Sequence, residues 1–367
     1  MRRSRAKRKI NVFRFAVFIG LTLAAIAGVV FGALKLFGNA GARAELDALP
    51  FTAQEPYVYT GAGFLYLQGG TVNYKDLSDE GKDYSLSVAQ QDIRLAGGTN
   101  IAAVYSAAAM QIVSATTPVE FSGAIEQVRC GVSHAAALVN DAAGKASLLV
   151  YDNTGKLLDE LTFADQYLVS FGFFGSAGDT LWTLEMDACG EIPCSTIKTY
   201  DIDRMTTTGV LPIQNQLVSD VVMTQSSTFV VGTNHLIRFS RTGNTEAYRL
   251  LIYGYTLLDY SVASAPSFLF KPRGEADLSL VRLYTVSEGD AAAQTARDFT
   301  LPADTLGAFL CGGNVAAVTP DKICLYKSDA TPLKTIELEG VAQKAYKLDA
   351  SKLLIESGGQ LSIISVG

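Results

Sequence analysis

The stretch AAALVNDAAGKASLLVYDNTGK, residues 135–156, decides the fold. Two short apolar segments flank a turn rich in Asn, Asp and Gly, and the second ends on Tyr151 before another polar turn. Short β-favouring runs bounded by such turn residues are hairpin strands. The same motif recurs in both directions along the chain. FLYLQGGTVNYKDLSDEG (64–81) and IAAVYSAAAMQIVSATTP (101–118) precede it. DTLWTLEMDACGEIPCSTIKTYDID (179–203), STFVVGTNHLIRFSRTGN (227–244), SFLFKPRGEADLSLVRLYTVSEGD (267–290), NVAAVTPDKICLYKSDATP (314–332) and KLLIESGGQLSIISVG (352–367) follow it.

The position that ends the second strand of each motif is Tyr74, Val113, Tyr151, Tyr200, Phe239, Tyr284, Tyr326 and Ile364, with separations of 39, 38, 49, 39, 45, 42 and 38 residues. A further β-rich segment stands before each motif, such as DIRLAGG (92–98) or EQVRCGV (126–132), and another after it, such as KLLDELTF (156–163). Four short strands at a period of about forty residues are the signature of a β-propeller blade. An antiparallel sandwich requires no such period and seldom continues past about 250 residues. The chain is therefore expected to be all-β, a propeller of eight four-stranded blades, or seven if the weak second unit is an irregular insertion. The last unit stops after its third strand, which would leave an open edge. The segment Ala48–Tyr59 (ALPFTAQEPYVY) is placed to supply the missing strand, so the two ends of residues 48–367 are expected to share a blade.

Ahead of the repeats, Phe15–Leu34 contains twenty residues without a charge. At about 1.5 Å per helical residue this spans roughly 30 Å, one bilayer crossing. Arg2, Arg3, Arg5, Lys7, Arg8 and Lys9 precede it, which places the N-terminus in the cytoplasm. The expected order is a basic cytoplasmic tail (1–11), a transmembrane helix (12–37), a stalk (38–47) and an extracytoplasmic propeller (48–367). Ala42-Arg43-Ala44 has the form of a signal-peptidase site, but the apolar core is longer than the roughly 7–15 residues of a cleaved signal. Residues 1–35 carry eight basic and no acidic side chains, leaving 22 basic and 36 acidic beyond them, a difference of −14. An acidic domain lacks the basic footprint that phosphate backbones require, so nucleic acid is not an expected partner.

The basic tail, the anchor and the repeats, including the VYDNTGK turn at 150–156, resemble a family of uncharacterised single-pass membrane propeller proteins of clostridia and related Gram-positive bacteria. That resemblance implies the fold and the membrane attachment, and no established activity.

No Gly-x-Ser-x-Gly elbow and no phosphate-binding loop is present, and no catalytic, metal-binding or cofactor-binding set is expected. Cys189 and Cys194 flank a hairpin tip at a separation that a disulfide can span. Cys130 and Cys311 fall on expected innermost strands and Cys324 on a third strand, each read as a small buried apolar residue. Ser133 and His134 are adjacent, and on a strand they would point to opposite faces. Asp201 and Asp203 are read as a solvated turn. Candidate contact loops are the Cys189–Cys194 hairpin with Glu191, and two long loops of the sixth unit, near Arg273–Asp277 (Arg273, Glu275, Asp277) and near Glu288–Asp298 (Glu288, Asp290).

These features favour a noncatalytic interaction or scaffold domain at the cell surface, partnered by the membrane through its helix and by a protein or an envelope glycan. The alternative is an extracytoplasmic hydrolase or lyase whose residues converge on the central channel from different blades. A third reading gives the anchor itself an interface, through the Gly-x-x-x-Gly pattern of Gly28 and Gly32.

Overall fold

In a computed structural model, the structure describes residues 42–43, 47–88, 92–115, 117–163, 166–175, 178–187, 194–241, 245–263, 265–286 and 294–366. The described strands form eight sheets. Each begins with an innermost strand, and the innermost strands of blades 1 to 4 and of blades 6 to 8 contact their neighbours in turn. All eight hairpins read from the sequence are the second and third strands of a blade. The second unit, with strands at Arg94–Gly97, Ala102–Tyr105, Ala109–Ile112 and Val119–Glu120, is a true blade with short strands, which fixes the number at eight.

Apolar residues alternate along each strand, so each blade has two buried faces, one for each neighbour. Tyr151 packs against Ile112 and Met110 of blade 2, whereas Leu148 and Val150 pack against Phe171 and Leu181 of blade 4. In blades 3, 4, 5 and 7 the ladder between the third and fourth strands shifts register at the strand-ending aromatic, namely Tyr151, Tyr200, Phe239 and Tyr326. The repeated aromatic thus marks a bulge, and bulges increase the twist of a strand. Polar latches join inner strands of neighbouring blades. Arg94 of blade 2 donates to the Ile125 and Glu126 carbonyls of blade 3 at 2.6 and 2.7 Å, and Arg129 of blade 3 donates to the Phe171 carbonyl of blade 4 at 2.5 Å.

The ring closes as a mixed blade, in a narrower form than expected. Asp47–Thr52 pairs antiparallel with Gln360–Ser365 as the outer strand of blade 8, whereas Tyr57–Tyr59 is the innermost strand of blade 1. Ala48–Tyr59 is therefore two elements, because the turn at 53–56 ends the first strand and redirects the chain towards the channel. Within the stretch read as a stalk, Ala42–Arg43 runs parallel to the outer strand of blade 7, opposite Ile336 and Glu337. The expected basic tail (1–11) and transmembrane segment (12–37) lie outside the described residues. Among the described residues no helix is long and apolar enough to cross a membrane.

One repeat is out of phase. Tyr151 pairs with Ala135, the second residue of its neighbouring strand, but in blade 1 the second residue, Phe64, pairs with Lys75 and not with Tyr74. A slip of one residue turns a side chain to the other face of its sheet. Tyr74 consequently faces blade 2, while Lys75 forms ion pairs with Glu80 and Asp83 at 3.1 and 3.0 Å.

Candidate interaction face

The connection from the outer strand of one blade to the inner strand of the next, together with the turns between second and third strands, forms one face of the disc. The first residue of the inner strand of blade 4, Tyr167 (66% exposed), and the connections entering blades 5 to 8 each present an exposed apolar side chain, the latter being Leu217 (44%), Tyr253 (72%), Leu306 (39%) and Val341 (67%). The local cause is a pinned backbone with a buried neighbour. The Ile252 N–H donates to the Asn234 carbonyl at 2.8 Å with its side chain buried, and a turn through Gly254 at φ +83° leaves Tyr253 at the apex. Gln216 is buried and accepts the His235 N–H at 2.9 Å, so Leu217 turns outward. Buried Ala342 donates to the Pro320 carbonyl at 2.8 Å and leaves Val341 outside. Among the described residues, exposed Asp92 and Ser122 stand in the connections entering blades 2 and 3, and the apolar arc runs through the entries of blades 4 to 8.

Arg273, Glu275 and Asp277 lie on this face, all exposed. The Arg273 N–H donates to the Gly254 carbonyl at 2.7 Å, and its guanidinium reaches the Thr233 and Tyr255 carbonyls at 3.4 Å, which fixes the turn beside Tyr253. Asp277 accepts from the Ser279 N–H and hydroxyl at 3.1 and 2.8 Å. The second expected loop of this blade is shorter than predicted. Asp298 belongs to the strand Gln294–Thr300, where β-pairing and a two-pronged contact with Arg282 at 2.6 and 2.9 Å hold it. Glu288, Asp290, Cys189 and Glu191 lie outside the described residues. Cys194 opens the third strand of blade 4, half-buried, with its thiol directed at the Ser195 carbonyl.

Next to Tyr167, a groove of 1030 Å³ runs between blades 3 and 4, lined by Glu126, Asn140, Lys145, Gln166 and Asp187. Below it Glu185, 1% exposed, is held by Lys198 at 2.6 Å and the Thr183 hydroxyl at 2.8 Å. At the channel, Asp259 of blade 6 accepts the Leu310 N–H of blade 7 at 2.7 Å and Lys347 of blade 8 at 2.8 Å. This carboxylate is occupied in joining three blades.

Ser133 and His134 do approach, with the hydroxyl 3.2 Å from Nδ1, because Ser133 sits in a turn and strand alternation does not govern it. The same Nδ1 lies 3.1 Å from the Gly178 carbonyl, an acceptor only, so this nitrogen carries the proton and cannot take one from Ser133. Asp201 caps its turn by accepting the Arg204 N–H at 3.0 Å, as a solvated turn requires. Burial pushes the Cys130 thiol up to about 12 and the Cys311 thiol up to about 11, fitting apolar packing roles at the ends of their inner strands. Among the described residues, no three His, Cys, Asp or Glu side chains are grouped so as to hold a metal ion. The apolar arc itself was not read from the sequence. Its signal is one apolar residue per forty, just ahead of each inner strand, which single-residue inspection does not separate from core.

Fold and face together define the class, an eight-bladed β-propeller with an asymmetric apolar arc at one mouth. No family model matches the sequence, and no curated protein matches it. Solved structures share the fold. The WD40 domain of SCAP from fission yeast aligns over 88% of this chain and 98% of its own, with a TM-score of 0.59 and 10% identity. BamB from Moraxella catarrhalis aligns over 88% and 97%, with a TM-score of 0.54 and 10% identity. Sqt1 from Saccharomyces cerevisiae aligns over 89% and 99%, with a TM-score of 0.55 and 9% identity.

Proposed function

We propose that this chain is a noncatalytic interaction domain, tethered outside the cell by its N-terminal apolar segment, that docks a partner protein on the arc-bearing face. The observation that carries the reading is the run of exposed apolar side chains in five successive blades, Tyr167, Leu217, Tyr253, Leu306 and Val341. Exposed apolar surface gathered on one face and rimmed by polar residues is the usual mark of an interface. A rigid scaffold that presents short connections suits recognition by shape. The excess of 36 acidic over 22 basic residues beyond residue 35 favours a partner whose apolar contact is rimmed by basic groups. The tether is supported by the uncharged Phe15–Leu34 segment and the basic residues before it.

The test is affinity capture of the full chain from its native membrane, run in parallel with a Tyr253→Ser/Val341→Ser variant and with Leu157→Ser, which removes an exposed apolar residue from an outer strand. The proposal expects a specific protein captured by the wild type and by L157S and lost from the double variant. Equal recovery by all three, or no specific protein in any, would overturn it.

A further inference from the structure

Two irregular members of the repeat, in blades 1 and 2, meet at one interface. In blades 3 to 7 the third strand ends on an aromatic that packs against the preceding blade, as Tyr151, Tyr200, Phe239, Tyr284 and Tyr326 do. In blade 2 this position is Val113: the turn from Gly98 to Ile101 matches that from Gly131 to His134, and the Val113 N–H bonds to the Ala102 carbonyl. Facing Val113 from blade 1 is the out-of-phase Tyr74. The fully buried core here is reduced to Leu65, Val72 and Val104, against twelve residues at the interface of blades 2 and 3. A short side chain where blades 3 to 7 place a ring leaves the two blades apart.

The gap is a cavity of 440 Å³, open on the face opposite the apolar arc. Tyr74 and its cross-strand partner Tyr84 line one side, with rings stacked at 5.1 Å and 15°. Thr99 and Asn100, both exposed on the turn between the first two strands of blade 2, stand at the rim with Ser114. No acidic or basic residue is among the described residues that line it; the buried Asp76 carboxylate behind the wall accepts the Tyr74 hydroxyl at 3.3 Å and is held by Ser78 and Asp79. Burial pushes the Tyr84 phenol up to about 12, so the aromatic surface is neutral at physiological pH.

We propose that this cavity binds a neutral saccharide, with a pyranose face laid on the Tyr74–Tyr84 rings and its hydroxyls bonded to Thr99 and Asn100. A charged ligand would lose hydration against a wall that offers no counter-charge. A wholly apolar ligand would leave the rim hydroxyl and amide groups unused. The aromatic surface suits the C–H face of a sugar ring, and the volume falls in the range of about 300–1,000 Å³ for small-ligand sites. The site is independent of the protein-docking face.

The test is calorimetric titration of the full chain with four probes: diacetylchitobiose, maltose, cellobiose and mannobiose. At least one is expected to bind with a Kd of about 1 mM or tighter. Val113→Phe supplies the aromatic of blades 3 to 7 and fills the cavity; it is expected to weaken that binding at least tenfold while the unfolding temperature holds or rises. Asn100→Ala, on an exposed turn, is expected to weaken binding several-fold in a chain that folds normally. Absence of binding by all four probes at about 10 mM, or unchanged binding by both variants, would overturn the proposal.

Discussion

Phe51 is the side chain on which closure of the ring depends. It is 1% exposed, stacks on Tyr66 at 4.5 Å, and meets Tyr57 and Phe64 at 5.3 and 5.5 Å, so the outer strand of blade 8 is anchored in blade 1 through one ring. Replacing it with alanine removes the ring and leaves a cavity, at a cost of about 3–5 kcal/mol for a buried Phe. That range already includes the lost ring contacts, and the three aromatic partners keep the expected loss off its lower end, at about 4 kcal/mol. A chain of this size unfolds with a urea dependence at or above about 3 kcal/mol/M, so the midpoint should fall by about 1 M. The chain has a single tryptophan, Trp182, and it sits in blade 4, across the ring from blade 8. Its fluorescence therefore reports whether damage at the closure reaches the far side. In a closed ring the Trp182 transition of F51A moves with the circular dichroism transition. A fluorescence midpoint unchanged to within about 0.2 M would refute the claim that the N-terminal strand holds the whole ring together.

Two further perturbations test the polar framework. Lys347→Met strips Asp259 of its ion-pair partner, with both side chains under 20% exposed (19% and 14%); it should cost about 2–3 kcal/mol by urea denaturation, somewhat below the value for a fully buried pair. The Asp259→Asn/Lys347→Met double variant should recover at least half of that loss, and an equal or greater loss would show that the pair does not join the blades. Asp76 accepts the Ser78 N–H, the Ser78 hydroxyl and the Asp79 N–H, and these bonds, that of the Ser78 N–H foremost, hold its carboxyl down at about 2. Its unfolded value is about 3.9, so its contribution is complete above about pH 4 and fades as the pH falls towards about 2. Asp76→Asn should flatten the stability profile across that window, and an unchanged profile would exclude the turn as its source.

The fold was legible where the sequence repeats a physical unit. Alternating apolar residues and a tight turn, in most units with a terminal aromatic, specify a hairpin whatever surrounds it, and eight such hairpins stand in the sequence. Features set by registry between strands were not legible in the same way. Tyr74 looks like the other strand-ending aromatics, and only its pairing with Leu65 shows that it faces blade 2. Closure was read from an open edge, but the division of Ala48–Tyr59 depends on the turn at 53–56, which carries no strong breaker between its strands except Pro56. Ser133 and His134 approach because the inner strand of blade 3 ends at Cys130, a boundary that the apolar pattern leaves undefined. The contact face was half legible. Arg273–Asp277 stands out by length, whereas Leu217, Tyr253 and Val341 become visible only when the folded ring sets the entries of successive blades on one face.

The most direct test of the docking account is site-specific photo-cross-linking in intact cells. A photoreactive side chain placed at Tyr253 or Val341 is expected to form one discrete adduct with a partner protein, and the same group at Leu157 none. Adducts of the same partner at all three positions, or at Leu157 alone, would contradict the assignment of that face as the interface.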